Sequence, residues 1–283
     1  MVQRPNALTD AAGTVHSRAG PDARIACLVP SITELVCDLG LAPQLVARTG
    51  FCIHPSDLVA DIPKVGGTKD VNLARLRELA PTHVIVNIDE NQKPAVEEIA
   101  RFVRNVIVTH PNAPLDNFAL YRLIGGIFGR EAAAEKMCIG LEAALGAALA
   151  ATESLPRENV LYLIWKDPWM TVAPETYISR TLAAIGWDTV DTVGAGGDTR
   201  YPQIDLDTSA QAADLVLLST EPFMFRASHV ADLARRLPGK RVALIDGEMT
   251  SWYGSRAIAG LRYLPGFRHA CAAPATAPSP PET

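Results

Sequence analysis

Eight aromatic side chains are where this chain could do chemistry: Phe51, Trp165, Trp169, Tyr201, Phe223, Phe225, Trp252 and Tyr253. All fall between apolar runs, where loops are expected, in a chain that is only 6% aromatic. Large rigid rings cover apolar area at low entropic cost and suit a flat, partly apolar ligand. Some of them are expected to close the core instead. Asp89, Glu90, Asp167, Glu221, Asp246 and Glu248 share the same segments. Carboxylates among ring walls orient ligand amides and hydroxyls or bind cations, and a pair of them also allows general acid–base work. His54 differs from the other histidines because the run Phe51-Cys52-Ile53-His54-Pro55 sets it beside a thiol. A metal contact through His54 or Cys52 is one reading, and a pocket-lining or surface residue is the other. The sequence has no P-loop, nucleophile elbow, dinucleotide fingerprint or histidine pair spaced for zinc. Gly194–Asp198 is glycine-rich but reads as a turn. No catalytic residue is assigned.

The segments that must position these residues alternate in type on either side of one long helical stretch. Within 115–152, Phe118, Tyr121, Ile124 and Phe128, then Met137, Leu141, Ala144, Leu145 and Ala148, recur at spacings of three and four, the stripe of an amphipathic helix. Pro114 and Asp116 supply start signals, and Ser154, Pro156 and Asn159 mark the end. A continuous helix there would be roughly 55 Å long at about 1.5 Å per residue. Gly125, Gly126 and Gly129 each weaken it by about 1 kcal/mol relative to Ala, so one bent helix and two joined helices are both open. Before the stretch, 24–29, 44–48, 83–87 and 105–109 read as strands, with helices over 31–40, 72–79 and 93–102. Ser31 or Thr33 is expected to cap the first helix, with Ser31 and Glu34 as a capping box. After it, 159–165, 188–192, 215–219 and 242–246 read as strands, with helices over 177–185, 208–212 and 229–237. Such alternation implies mostly parallel sheets covered on both faces, whose ligands collect at the carboxyl ends of strands. Those ends hold the rings and carboxylates.

Composition narrows the classes. The chain has 283 residues, enough for two cores; 48% are hydrophobic and 20% charged, as in ordinary globular proteins. A formal net charge of −5 argues against nucleic-acid binding. No apolar run approaches the ~20 residues that cross a bilayer, so the chain is not expected to span a membrane. Residues 1–23 lack an apolar h-region and read as a disordered leader, and 271–283 as a disordered tail. The five cysteines are odd in number and lack metal-type spacing; Cys27 and Cys37 are expected as small buried hydrophobes. The sequence as it stands favours the cytoplasm, or the periplasm if an export signal is missing from it.

The chain resembles the helical-backbone substrate-binding proteins of cobalamin and iron–siderophore ABC importers, most closely those for vitamin B12. The resemblance rests on Leu28-Val-Pro-Ser-Ile-Thr-Glu-Leu35, Val65-Gly-Gly-Thr-Lys-Asp-Val-Asn-Leu73, Leu79-Ala-Pro-Thr-His-Val-Ile-Val86, Glu90-Asn-Gln-Lys93, Tyr201-Pro-Gln203, Ala213-Asp-Leu-Val-Leu217 and Ser251-Trp-Tyr-Gly254, and it spans about 24–270. It implies a class III periplasmic-binding-protein-like α/β fold: two doubly wound lobes, 24–113 and 156–270, joined by one long backbone helix over 114–155. It further implies a non-catalytic protein, with no required cofactor, that takes a corrinoid, haem or ferric siderophore in a cleft between lobes. Phe51, Trp165, Trp169, Tyr201, Phe223, Trp252 and Tyr253 would be ring walls. Glu90, Asn91, Glu221 and Asp246, with Ser31 and Thr68, would be polar contacts, and His54 or Cys52 would meet a metal. Family members also dock onto an ABC permease through one surface acid per lobe. Asp207 fits the second, whereas Ala74 stands where the first would fall, so a permease partner is left open. A cytoplasmic enzyme, or a cofactor-handling or sensor protein on the same scaffold, is the alternative.

Overall fold

Runs of Val, Ile and Leu such as His83–Asn87 and Leu215–Ser219 are buried along their whole length, as only a strand covered on both faces can be. The computed structural model describes residues 8–192 and 199–272, so the glycine-rich 194–198 lies outside the described residues. Eight strands form two four-stranded sheets, and every pairing is parallel. The first sheet contains β1 (Ile25–Cys27), β2 (Leu45–Arg48), β3 (His83–Asn87) and β4 (Asn105–Thr109), in the order β2-β1-β3-β4. The second contains β5 (Glu158–Leu163), β6 (Trp187–Thr189), β7 (Leu215–Ser219) and β8 (Arg241–Ile245), in the order β6-β5-β7-β8. Each is doubly wound. The winding reverses between β1 and β3, and again between β5 and β7, which opens a crevice at those carboxyl ends.

The chain divides into two compact units, Met1–Ala143 with Trp252–Ile258, and Ala144–Ser251 with Ala259–Thr283. In the first, α1 (Pro30–Asp38), α2 (Ser56–Val59), α3 (Leu73–Glu78), α4 (Lys93–Ala100) and α5 (Asp116–Ile127) accompany the sheet. Ala26, Leu28, Val84 and Val86 pack there with Val65, Leu76, Ile99 and Val103. The boundary at 143/144 falls inside α6 (Glu131–Thr152). The second unit holds α7 (Tyr177–Ala183), α8 (Leu206–Gln211), α9 (Ala227–Arg236), α10 (Gly247–Ser251) and most of α11 (Arg256–Ala272). Its core joins Leu161, Leu163, Val216 and Leu218 to Leu206, Phe225, Leu233 and Leu237.

One open choice is resolved and three expectations change. The helical stretch over 114–155 is two helices, α5 and α6, and the longer, α6, spans about 33 Å at 1.5 Å per residue. The break falls at Gly129, whose φ of +66° suits glycine. The Arg18 guanidinium also lies 2.6 Å from where a β-carbon there would sit. Residues 8–23 are not a disordered leader. Residues 1–7 lie outside the described residues, and 8–16 form a hairpin whose Asp10 carboxylate accepts from Ala12 and Thr14 N–H at 2.9 Å, Val108 N–H at 3.0 Å and His16 Nε2 at 3.0 Å. Ala11 N–H also bonds Val108 O, so the hairpin closes the outer edge of β4. The capping box does not form, because Pro30 is the first helical residue and Ser31 and Thr33 lie inside α1. Finally, α11 is a 17-residue helix that the sequence reading left out, with Pro265 inside it. No helix among the described residues is long and apolar enough to cross a membrane.

Candidate functional site

The described residues leave ten large apolar side chains exposed, and five of them lie in loops just past strand carboxyl ends: Phe51, Ile53, Ile88, Trp165 and Met224. Exposed apolar surface gathered in one kind of place marks a binding surface.

In the first unit, the loop after β2 is held by Arg48. Its buried guanidinium donates to Val59 O at 2.8 Å and Thr49 O at 3.2 Å, tying the ends of a segment that carries Phe51 (64% exposed), Cys52, Ile53 and His54. His54 meets the Trp252 ring edge-on, 5.6 Å between centroids. Tyr253 OH donates to Glu90 Oε1, at the end of β3. Trp252 and Tyr253, each 8% exposed and so buried beside this edge, are held there because the next residue is clamped. Gly254 N–H donates to Asn117 Oδ1 at 2.7 Å, and Gly254 O accepts from Tyr121 OH at 2.8 Å. Gly254 has φ +75°, and a β-carbon would lie 3.0 Å from Ser31 O.

In the second unit, rings form a ladder from core to rim. Phe225 is buried and stacks on Trp169 at 6.1 Å; Phe223 lies 4.7 Å from Phe225 and 5.6 Å from Trp165, which is 40% exposed. His229 closes the ladder, 5.7 Å from Phe223, while its Nδ1 accepts from Arg226 N–H. The acids are occupied by local structure. Glu221 Oε1 accepts from Ser251 Oγ at 2.6 Å, and Asp246 Oδ1 accepts from Met249 N–H in the first turn of α10. Tyr201 is half-buried beside Gln203, which bridges to Met170.

Four expected contacts face the scaffold instead. Asn91 is buried; its Oδ1 accepts from Asn87 N–H at 2.9 Å, and its Nδ2 donates to Leu28 O at 3.2 Å and Thr68 O at 3.0 Å. Thr68, half-buried, is thereby fastened to the switch point of the first sheet. Cys52 is fully buried, and burial pushes its thiol above the ordinary range. A protonated, enclosed thiol is a poor metal ligand. Cys27 and Cys37 are buried as expected, and burial pushes Cys37 up to about 12. Ser31 is 2% exposed within α1. His54 is half-buried, against the Trp252 ring. No group of three or more His, Cys, Asp or Glu among the described residues is placed to hold a metal ion. Sequence reasoning missed Arg48, Asn117 and Arg256. Arg48 carried a signal, a charged residue at the end of an apolar strand.

The sequence pattern that defines the family described as "Periplasmic binding protein" matches residues 25–236, most of the chain. The chain belongs to the periplasmic binding protein family. Solved periplasmic binding proteins share its fold. The periplasmic vitamin B12 binding protein BtuF of Vibrio cholerae is 14% identical with a TM-score of 0.78, over 90% of this chain and 99% of that one. The periplasmic heme-binding protein RhuT from Roseiflexus sp. RS-1 is 18% identical at 0.74, over 89% and 100%. The periplasmic heme-binding protein HutB of Vibrio cholerae is 20% identical at 0.70, over 88% and 99%. None of the curated proteins matches in sequence. In this periplasmic binding protein, Ala74 and Asp207 occupy the same place in the two units, two residues past the helix-capping Asn72 and Asp205. Asp207 is paired bidentately with Arg236, at 3.1 and 2.8 Å.

Proposed function

We propose that this periplasmic binding protein is a non-catalytic carrier of a metal chelate, a corrinoid first and haem or a ferric siderophore next. The carrying observation is the ring ladder of Trp165, Phe223, Trp169 and Phe225 at a strand-end crevice, with exposed Phe51 and Ile53 on the equivalent edge of the first unit. Rings that are braced from behind keep their faces for the ligand without paying much ordering entropy. His54, beside Trp252, is the residue we assign to a ligand metal. The solved relatives named for vitamin B12 and heme support this ligand class. We place the protein in the periplasm, delivering to an ABC permease. Asp207 would take part in docking by exchanging Arg236 for a permease cation, while Ala74 offers no charge from the first unit.

Titration with cyanocobalamin, dicyanocobinamide and ferric protoporphyrin IX, followed by absorbance and calorimetry, tests the reading. Micromolar or tighter binding of at least one is expected. Trp165→Ala should weaken it about 30-fold, the ~2 kcal/mol of a buried aromatic anchor. No response to any of the three would overturn the proposal.

A further inference from the structure

Trp252 is braced on two sides. His54 meets its edge at 71° between planes, and the Arg256 guanidinium lies over its ring, Cζ 4.6 Å from the centroid. Arg256 is gripped in turn, Nε donating to Glu34 Oε2 at 2.8 Å and Nη2 to Glu34 Oε1 at 2.6 Å. These side chains are only 12% and 15% exposed, so the pair is shielded from screening. Glu34 projects from α1, which starts at Pro30, directly after β1 at the switch point. A guanidinium bonded through its edge keeps its flat face for an aromatic ring, a geometry that an ammonium does not offer.

This pair is not needed merely to fasten the returning chain. Gly254 already does that through Asn117 and Tyr121. What the pair adds is a fixed plane for the indole.

We propose that Arg256 is a positioning residue for ligand binding: clamped by Glu34, it sets the plane of Trp252 and, through that ring, the direction in which His54 meets the ligand. The inference rests on the carrier role proposed above. A ring locked before binding leaves less freedom to be lost on binding, so the effect appears as slower ligand dissociation.

A double-mutant cycle tests it, with ferric protoporphyrin IX and dicyanocobinamide as probes and stopped-flow absorbance as readout. Arg256→Met should weaken binding about tenfold, mainly through faster dissociation, and Glu34→Gln about threefold to tenfold. In a Trp252→Ala background, Arg256→Met should change affinity by less than about twofold, because coupling through the ring is gone. An equal loss in both backgrounds would mean that Arg256 acts without the ring, and would overturn the inference. Arg256→Lys keeps the cation and loses the fork. If Arg256→Met does not fold, the Lys variant carries the same cycle, with a loss expected only where Trp252 is present. Wild-type protein that binds none of ferric protoporphyrin IX, dicyanocobinamide and cyanocobalamin refutes the carrier role and this inference with it. Wild-type binding that Arg256→Met leaves unaltered refutes this inference alone.

Discussion

An Asn91→Ala substitution distinguishes a ligand contact from a strut. The amide joins three main-chain groups: Asn87 N–H at 2.9 Å, Leu28 O at 3.2 Å and Thr68 O at 3.0 Å. Leu28 and Asn87 are 0% and 2% exposed, so water does not replace the lost partners freely. Hydrogen bonds are worth about 1 kcal/mol each net, and a buried group left unmet costs about 1–3 kcal/mol, so the loss is roughly 3–4 kcal/mol. For a unit of this size that lowers the melting temperature by roughly 6–15 °C. Asn91→Asp should be at least as harmful, since it keeps the acceptor for Asn87 but turns a carboxylate toward two carbonyl oxygens. Thermal unfolding followed by near-ultraviolet circular dichroism measures the effect. Haem or cobinamide titration well below the transition then asks whether the folded variant still binds. A melting temperature within about 3 °C of wild type, together with at least tenfold weaker ligand binding, would return Asn91 to the ligand wall and refute the strut.

Gly254→Ala should destabilise by about 1–3 kcal/mol, because a β-carbon is strained at φ +75° and meets Ser31 O. An unchanged denaturation midpoint would contradict that. His83 is buried, and burial, then nearby His16, holds its pKa below the ordinary value. The folded state therefore keeps His83 neutral while the unfolded chain protonates near pH 6.5. Its contribution is intact above about pH 6.5 and is lost as the pH falls from there toward the folded value. Wild-type protein should lose more stability between pH 7.5 and 5 than His83→Gln, and parallel stability profiles would argue against it.

Element positions were largely legible from the sequence because parallel strands buried on both faces are short, uninterrupted Val/Ile/Leu runs; β3 and β7 lie where those runs lie. The helix α11 was not, since Gly260, Pro265 and Gly266 punctuate it as a loop would be punctuated. The spacing of Ser31 and Glu34 fits a capping box, but Pro30 starts the helix earlier and frees Glu34 for Arg256. Strand-end placement picked out Phe51 and Trp165, which are exposed, and Phe223, which packs against Trp165. It carried no information on side-chain direction, so Asn91 and Cys52 were grouped with them although both point into the scaffold. A pair 222 residues apart, such as Glu34 and Arg256, has no signature in a single sequence.

The first unit borrows its last seven residues from beyond the whole of the second sheet. On the ribosome, Glu34, Asn117 and Tyr121 therefore emerge long before Arg256 and Gly254 exist to meet them. At about 5–20 residues per second, the wait is roughly 7–27 s for Asn117 and Tyr121 and roughly 11–44 s for Glu34. During that interval the nascent amino-terminal half lacks the segment that later meets Glu34 and the Asn117 Oδ1. A gene cut within α6 would make that interval permanent.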